Sequence, residues 1–249
     1  MRLSVLYGSS VANDFLVGSL APHRPVLVVR EEQPARLVLQ RAWRRRRDPL
    51  RSRLDKLAFF ALYGIWLQRG VDHDLRRRLG PHPPVPSGPR VADVDDALET
   101  VRDARPDLVL VTGTSILSDA WGGIDAPIVN VHLGIAPRYR GRFCWFWPIL
   151  EGREEDVGVT LHLVAPRVDA GPIVLQRRVP PGSLTTRSFA EVLAAVTLLA
   201  RDLCHELLAD PDTLLHAATP PPAADVLARP AYLEPGLSAY LRYVRTTAG

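Results

Sequence analysis

The stretch Ile128-Val-Asn-Val-His-Leu-Gly-Ile-Ala-Pro-Arg-Tyr-Arg-Gly141 is a short apolar run that carries two polar residues and then breaks into a loop. Asn130 and His132 are two residues apart, so an extended strand places both side chains on the same face. A buried strand has no structural need for an amide and an imidazole there, because burying them unpaired costs on the order of a few kcal/mol. The pattern therefore indicates a functional site above this strand.

The N-terminal part of the chain has the pattern of a βαβ unit. Leu3 to Tyr7 is an apolar run that ends at Gly8, Val11 to Leu20 suits a short helix, and Val26 to Val29 is a second buried strand. Such a unit favours a parallel pair of strands. Further strands are predicted at 90–94, 107–113, 128–132, 157–164 and 173–179. The sequence thus predicts an α/β fold with a mostly parallel, twisted sheet flanked by helices.

Length and composition are those of a globular protein in aqueous surroundings. The chain has 249 residues, of which 47% are hydrophobic and 23% charged. Its longest mainly apolar segment, Leu57 to Leu67, is about half the roughly 20 residues of a membrane-spanning helix, so no span is predicted. Met1 to Gly8 is too short and too strand-like for a secretory signal, so we expect a cytoplasmic location. Cys144 and Cys204 lack zinc-type spacing and are expected to be free thiols.

Residues 34–80 form a basic insertion rich in arginine and leucine. Eight arginines lie between Arg36 and Arg53, and we predict one helix from about residue 35 to 47 and another from about 53 to 68. The apolar stripe of the second helix favours packing against a sheet face and leaves a membrane-surface helix as the alternative. The arginines favour a solvated, salt-bridged face and leave a nucleic-acid surface open.

We place residues 1–210, including the insertion, in one α/β domain and residues 211–249 in a Pro-rich tail packed on the surface. Ser188 and Glu191 have the spacing of a capping box that opens a long helix. Shorter helices are predicted at about 95–104, 115–121 and 143–150. The strand at 157–164 alternates, which assigns Thr160 and His162 to its polar face and predicts His162 at the surface.

Asn130, His132 and Asp169 stand at turn or strand-end positions, where α/β sheets bind ligands in one crevice. An amide beside an imidazole suits a tetrahedral oxyanion, and an aspartate fixes the tautomer of the imidazole or stabilises its charged form. No serine or cysteine lies in a nucleophile elbow, so the pattern favours direct acyl transfer to an amine. The alternatives are satisfied core polar groups and a turn residue. A metal site that adds His162 lacks ligand spacing, so no metal is expected.

Six motifs occur in order along the middle of the chain: Pro106-Asp-Leu-Val-Leu-Val-Thr-Gly-Thr-Ser-Ile-Leu117, Asn130-Val-His132, Pro137-Arg-Tyr-Arg-Gly141, Trp147-Pro-Ile-Leu-Glu-Gly152, Gly158-Val-Thr160 and Asp169-Ala-Gly-Pro-Ile173. Together they resemble the formyltransferase family that includes glycinamide ribonucleotide transformylase, methionyl-tRNA formyltransferase and the sugar N-formyltransferases. The resemblance covers about Arg90 to Val179 and, more weakly, the opening βαβ unit. It implies a Rossmann-like formyltransferase domain.

The resemblance also implies 10-formyltetrahydrofolate as the formyl donor. By the family's pattern, Asn130 and His132 polarise the formyl oxygen, and Asp169 orients His132 or an ordered water and assists proton transfer. The pterin would lie against the turn at Val168 and Asp169 and against the backbone of a second segment, namely Gly113, Thr114, Ser115, Ile116 and Leu117. Tyr139, Arg140 and Gly141 would shape the acceptor side.

The resemblance leaves the amine acceptor open. A small molecule is expected, first an amino sugar, free or nucleotide-linked, and next an amino-acid or natural-product amine. The residues after Val179 read as a helix plus a tail, without a counterpart of the β-barrel that holds tRNA in methionyl-tRNA formyltransferases, so tRNA is not expected. A non-catalytic folate- or RNA-binding module and a hydrolase of the formyl donor are the other readings. A homodimer is a further expectation, and the aromatic run from Phe143 to Trp147 suits ring stacking or core packing.

Overall fold

The computed structural model describes residues 1–33, 50–62, 67–220 and 231–247. The helix predicted at about 35–47 lies outside the described residues, as do residues 63–66 of the second predicted helix. All structural statements below concern the described ranges.

The described strands form one seven-stranded sheet. They are β1 (Leu3–Gly8), β2 (Leu27–Glu31), β3 (Arg90–Val91), β4 (Leu108–Thr112), β5 (Ile128–His132), β6 (Gly158–Leu163) and β7 (Ile173–Arg178). Their spatial order is β3-β2-β1-β4-β5-β6-β7. The first five strands in this order pair in parallel, whereas the pairs β5–β6 and β6–β7 are antiparallel. The predicted α/β class with a mostly parallel sheet is confirmed.

Helices cover both faces of this sheet. The α-helices are α1 (Val11–Ser19), α2 (Leu50–Leu62), α3 (Gln68–Leu79), α4 (Leu98–Ala104), α5 (Trp147–Leu150), α6 (Phe189–Ala209), α7 (Pro211–His216) and α8 (Leu237–Thr247). Short 3₁₀ helices occur at Ala21–His23, Val94–Ala97, Asp119–Gly123 and Glu154–Asp156. The longest helix, α6, packs against α1, α3 and β6.

Only one of the two hydrogen bonds of the predicted capping box forms at the N-terminus of α6. The Oγ of Ser188 accepts a hydrogen bond from the backbone N–H of Glu191. The Glu191 carboxylate does not return to Ser188; it accepts from the backbone N–H groups of Thr185, Thr186 and Arg187. The helix start is therefore tied to the loop that precedes it.

The two faces of the sheet have separate apolar cores because alternate residues of each strand point to opposite sides. On β4, Leu108 and Leu110 join the larger core with α6, whereas Val109 and Val111 join the smaller one with Trp121. Every residue of β1 and β4 is buried, as expected of strands covered on both faces. Trp145 and Phe146 lie in the larger core, so within the aromatic run these two rings pack rather than stack on a ligand.

Helices depart from the prediction in three places. The second helix of the insertion already includes Leu50, ahead of the predicted start near residue 53, and α3 follows where no helix was predicted. Residues 115–118 are irregular and the 3₁₀ helix begins only at Asp119. Glu31 holds the N–H of Ser115, and the N–H of Ser118, which a helix from residue 115 would use in its first turn, donates to Asp95 instead. The segment 143–150 is α-helical only from Trp147.

The C-terminal segment adds to the core. Tyr243 of α8 is 1% exposed, and its ring stacks on Phe146 with centroids 4.6 Å apart. Ala239 is buried in the same cluster. The domain division at residue 210 and the surface tail remain predictions; within that segment α8 packs on the core through Ala239 and Tyr243.

Two expectations from composition concern thiols and membranes. Cys144 and Cys204 are both free and buried, as predicted. In the part of the chain that the structure describes, helices lack the combination of length and hydropathy that crossing a membrane requires.

Candidate active site

The site lies on the face of the sheet where β5 meets β6. These strands pair antiparallel, with Asn130 opposite His162 and His132 opposite Thr160. Directly opposed residues point to the same face, and the period of two puts Asn130 and His132 on that face together. The crevice predicted at the ends of parallel strands is therefore, at this point, the face of an antiparallel pair.

Asp169 reaches this face from the loop between β6 and β7. Its Oδ1 accepts a hydrogen bond from Asn130 Nδ2 at 3.0 Å and lies 3.3 Å from His162 Nε2. Its Oδ2 accepts from the backbone N–H of Gly141 at 2.7 Å and lies 3.4 Å from His132 Nδ1. The residue has a φ of +48°, a left-handed conformation that aspartate tolerates better than most side chains. The structure thus brings the three predicted residues together around one carboxylate.

The charge state of Asp169 follows from these contacts. Burial by itself would raise the pKa of this carboxyl. The charge of His132, the adjacent His162 ring and the Gly141 N–H together outweigh burial and hold the pKa of Asp169 well below its ordinary value. Asp169 is therefore an anion at neutral pH, able to hold a positive charge beside it.

Both ring nitrogens of His132 face acceptors. Nε2 lies 2.7 Å from the carbonyl oxygen of Tyr139, and Nδ1 faces Asp169. A neutral imidazole has one N–H and can donate to only one of them, whereas the doubly protonated ring donates to both. The surroundings of the ring therefore suit a cationic intermediate in proton transfer.

Gly134 makes room for this imidazole. A Cβ at position 134 would lie 2.6 Å from His132 Nε2 and 2.4 Å from the Cβ of Cys144. Real side chains do not approach so closely, so the ring of His132 can occupy this position only beside a glycine. Sequence analysis did not single out Gly134.

His162 is a correction to the sequence prediction. It was predicted at the surface, yet it is 2% exposed and contacts both Asn130 and Asp169. The assignment to the polar face of β6 was right, but the loop that carries Asp169 covers that face. The register opposite Asn130, which depends on how β5 and β6 pair, is the information that the sequence lacked.

Two more polar residues on these strands hold the loop after β5. The Oγ of Thr160 donates to the carbonyl of Gly134 at 2.7 Å and accepts from the N–H of Ala136 at 3.1 Å. Gln176 of β7 donates to the carbonyl of Ala136 and to Thr160. Thr160 has the same strand parity as His162, which is the sequence signal that could have identified it.

The predicted acceptor-side residues turn mainly toward the protein. Tyr139 is 0% exposed, and its hydroxyl donates to Glu151 at 2.9 Å, so its side chain does not form an acceptor wall. Arg140 is also buried and donates to the carbonyl of Val168 at 3.3 Å. Gly141 binds Asp169 through its backbone. These residues shape the site through the positions of His132 and Asp169, which corrects the expectation for the Tyr139 and Arg140 side chains.

The predicted pterin segment follows β4, and some of its polar groups already form hydrogen bonds within the protein. Gly113 has a φ of +63°, and Thr114 donates to the carbonyl of Ser115. Both the N–H and the hydroxyl of Ser115 donate to the buried carboxylate of Glu31, each at 2.6 Å. Ile116 is 75% exposed, whereas Leu117 packs on the smaller core. In the other predicted segment Val168 is 36% exposed, so both segments present an apolar side chain to solvent.

Cys144 is buried beneath the site, where its thiol is disfavoured from ionising. Burial raises the pKa of its thiol well above the ordinary value, and the nearby Asp169 carboxylate raises it further. A thiol in this state has little thiolate at neutral pH. Within the described ranges, no group of three or more His, Cys, Asp or Glu side chains is arranged to hold a metal ion.

Comparison with known proteins adds to this geometry. The family model described as "Formyl transferase" matches residues 83–189. A methionyl-tRNA formyltransferase from Chlorobium luteolum is 32% identical over 132 residues, which cover 48% of this chain and 42% of that protein. One from Thermotoga maritima is 30% identical over 126 residues, which cover 48% of this chain and 38% of that protein. The chain therefore matches less than half the length of these relatives.

Solved structures are similar over a larger share of the chain. A sugar N-formyltransferase from Shewanella sp. FDAARGOS_354 has a TM-score of 0.51 at 15% identity and covers 99% of this chain and 88% of that one. A phosphoribosylglycinamide formyltransferase from Streptococcus pneumoniae TIGR4 has a TM-score of 0.54 at 17% identity, over 85% of this chain and 99% of that one. At these identities the likeness establishes the fold. Residues 83–189 thus match the formyl transferase family, and the chain as a whole has the fold of the solved formyltransferases.

Proposed function

We propose that this protein is an N-formyltransferase that moves a formyl group from 10-formyltetrahydrofolate to the primary amine of a small molecule. The observation that carries this proposal is the Asp169 carboxylate held against Asn130, His132 and His162 inside the segment that matches the formyl transferase model. An amide donor, an imidazole and an anion at one point are the groups that acyl transfer to an amine requires.

The donor, when bound, supplies a formyl group attached to a nitrogen that can leave. As the amine adds to the formyl carbon, the carbonyl π electrons move onto the formyl oxygen, and Asn130 and His132 hold the resulting negative charge. In this step the substrate replaces the Tyr139 carbonyl at His132 Nε2; that nitrogen takes the proton that the attacking amine loses and passes a proton to the departing nitrogen, while the Asp169 anion at Nδ1 stabilises the charged ring. The carbon–nitrogen bond to the donor then breaks. The buried Cys144 thiol is unsuited to an acyl-enzyme, which supports direct attack.

Without a substrate, Asn130 Nδ2 already has two hydrogen-bond partners within the protein. It donates to Asp169 and lies 3.1 Å from His162 Nε2, and an amide nitrogen has only two hydrogens. His162 can accept at Nε2 when its Nδ1 donates to the carbonyl of Leu163, which lies 2.9 Å away. We infer that the formyl oxygen replaces His162 as a partner of Asn130. His162 thus keeps the amide aimed into the site until the donor binds.

The residues proposed for the donor have suitable chemistry for a pterin. A flat heteroaromatic ring is bound by apolar contact on its faces and by backbone groups at its edge. Ile116 and Val168 supply exposed apolar side chains. Because Ser115 already donates to Glu31, the remaining backbone from Gly113 to Leu117 and the turn at Val168 would supply the edge contacts.

The acceptor we propose is an amino sugar, free or nucleotide-linked, with an amino-acid or natural-product amine as the second class. Support comes from the sugar N-formyltransferase whose fold matches 99% of this chain. The methionyl-tRNA formyltransferases align with less than half of their own length, so their acceptor is not transferred to this protein.

A screen of acceptors tests the proposal. The protein is incubated with 10-formyltetrahydrofolate and one candidate acceptor at a time, taken from a panel of amino sugar nucleotides, amino sugars and other amines. The mass of each acceptor is then measured by mass spectrometry. The expected result is the gain of one formyl group on one compound or on a set of closely related compounds. Release of formate without any acceptor would identify a hydrolase, and no turnover with any compound would contradict the proposal.

Asp169→Asn is the matched control for this screen because it keeps the size of the side chain and removes its charge. We expect product formation to fall about 10³-fold, since proton transfer loses its anion, while folate binding stays close to that of the wild type. Tritium-labelled or fluorescent folate measures binding in parallel. Full turnover by Asp169→Asn would show that the mechanism is wrong.

A further inference from the structure

The site loop, residues 137–141, holds both ionisable partners of the reaction through its backbone. The carbonyl of Tyr139 contacts His132 Nε2, and the N–H of Gly141 donates to Asp169 Oδ2. A shift of this loop would therefore change the positions of His132 and Asp169 together. The question is what fixes the loop on its opposite side.

The answer is Tyr232, which lies 91 residues beyond Gly141 and pairs with the loop as a single parallel β-bridge. The N–H of Tyr232 donates to the carbonyl of Arg140 at 2.7 Å, and the N–H of Arg142 donates to the carbonyl of Tyr232 at 3.0 Å. The two backbones touch at Gly141, which has a φ of +100°. A Cβ there would lie 2.2 Å from the carbonyl oxygen of Tyr232, so the crossing requires glycine.

The side chain of Tyr232 adds a second connection through Glu151. The hydroxyls of Tyr139 and Tyr232 donate to the two oxygens of this one carboxylate, at 2.9 and 2.8 Å. Their rings stack with centroids 5.4 Å apart. Burial and the Glu151 carboxylate raise the pKa of Tyr232 to about 12, so its hydroxyl remains a donor at neutral pH. Glu151 thus joins the loop and the C-terminal segment.

The C-terminal segment is itself fixed at its far end. Asp55 of α2 accepts from the N–H and the hydroxyl of Ser238, at 2.9 and 2.7 Å, at the start of α8. Trp147 also donates to the carbonyl of Leu233, next to Tyr232. A helix of the basic insertion therefore helps to hold the segment that reaches the site loop.

We propose that Tyr232 is a positioning residue for formyl transfer, which fixes the site loop so that its backbone keeps His132 and Asp169 in register. The inference rests on the proposed function for its kinetic consequence. Tyr232 acts through Tyr139, Arg140 and Gly141 and touches neither His132 nor Asp169 by any contact described above. Its loss is expected to lower the rate of the chemical step rather than the affinity for the donor.

The test compares Tyr232→Ala and Tyr232→Phe with the wild type. Tyr232→Ala is expected to lower kcat about 10-fold with little change in KM for the formyl donor, because small displacements of reacting groups cost rate. Both variants keep the backbone bridge, but Tyr232→Phe also keeps the ring and loses only one hydroxyl bond, so we expect a smaller drop, about 2-fold to 3-fold. The ¹⁵N chemical shifts of the His132 ring are measured in all proteins, and they are expected to change most in Tyr232→Ala.

Tyr243→Phe is the matched control. It removes one tyrosine hydroxyl and one hydrogen bond to a carbonyl, as Tyr232→Phe removes one to a carboxylate, but it lies on α8 with its ring in the core, eleven residues beyond Tyr232. Its kcat and its His132 shifts are expected to match the wild type, and thermal unfolding shows that each variant is folded. A folded Tyr232→Ala with wild-type kcat and His132 shifts would overturn the inference.

Two further outcomes are decisive. Should Tyr232→Ala fail to fold, Tyr232→Phe decides, since unchanged His132 shifts in that variant would overturn the inference. Should the wild type transfer no formyl group to any acceptor, the proposed function fails. The positioning role would nevertheless stand if the His132 shifts still changed in the Tyr232 variants and not in Tyr243→Phe.

Discussion

The two oxygens of the Asp169 carboxylate are held by different kinds of structure. Oδ1 faces the strands: Asn130 on β5 and His162 on β6 are a directly opposed pair within the sheet. Oδ2 faces the site loop: its contacts are the N–H of Gly141 and the ring of His132, whose other nitrogen meets the loop at Tyr139. The strand side is fixed by ladder hydrogen bonds, whereas the loop side depends on contacts between distant parts of the chain.

The strand contacts orient the Asn130 amide, whereas the loop contacts hold His132, the residue proposed to transfer protons. A side chain within a paired sheet has little freedom, which suits the task of aiming an amide. The doubly protonated ring of His132 has two N–H groups, and the loop supplies an acceptor for the one that does not face Asp169. We therefore expect the two histidines to contribute unequally, although both lie against the same carboxylate.

The largest effect is expected for His132→Ala. Without the imidazole, the site loses its route for moving a proton from the amine to the leaving nitrogen, and kcat is expected to fall about 10³-fold. Folate binding is expected to change little, because the pterin segment lies after β4. Steady-state kinetics and a folate binding isotherm check this, and a variant with near wild-type turnover would remove the chemical role from the loop side.

A smaller effect is expected for His162→Ala. Asn130 and Asp169 each lose one of their contacts but keep the bond between them, so we expect kcat to fall about 10-fold, within the range for positioning errors. The same kinetic assay checks this value. A loss as large as that of His132→Ala would mean that the strand side takes part in proton transfer, and the two sides would then be equivalent.

The smallest effect is expected on the free energy of unfolding at acid pH, where Asp169 becomes protonated. The pKa of Asp169 is lowered in the folded protein, so its charged form stabilises the fold above the ordinary carboxyl pKa, and this contribution is lost as pH falls through the lowered value. The difference in unfolding free energy between the wild type and Asp169→Asn should therefore shrink as pH falls below about 4. Urea unfolding at several acid pH values measures it, and a difference that stays constant there would show that the contacts on both sides do not favour the anion.

Much of the fold was predictable because strands and helices have local periods. The βαβ opening, the buried strand at 108–112 and the helix after Ser188 all occur close to their predicted positions. Residues 115–118 were not predictable, because Glu31 binds Ser115 and Asp95 accepts the Ser118 N–H that a helix would have used. Those partners come from elements remote in sequence.

The site likewise has features that follow from local spacing and features that depend on tertiary contacts. That Asn130 and His132 share a face follows from a period of two along one strand. That His162 joins them follows from the register of β5 on β6, and the predicted exposure of His162 failed because a polar strand face was equated with solvent. That Tyr139 turns inward to Glu151 depends on a carboxylate twelve residues away and on a C-terminal segment farther still.

The sequence by itself determined the strands, the common face of Asn130 and His132, and the family motifs around Asp169, because each of these depends on spacing along a short piece of chain. Only the tertiary structure decided that one carboxylate lies between two imidazoles, and that Tyr232 braces the loop beside them. The physical reason is that these contacts join residues 7 to 91 positions apart, whose approach depends on sheet order and loop packing rather than on local propensity.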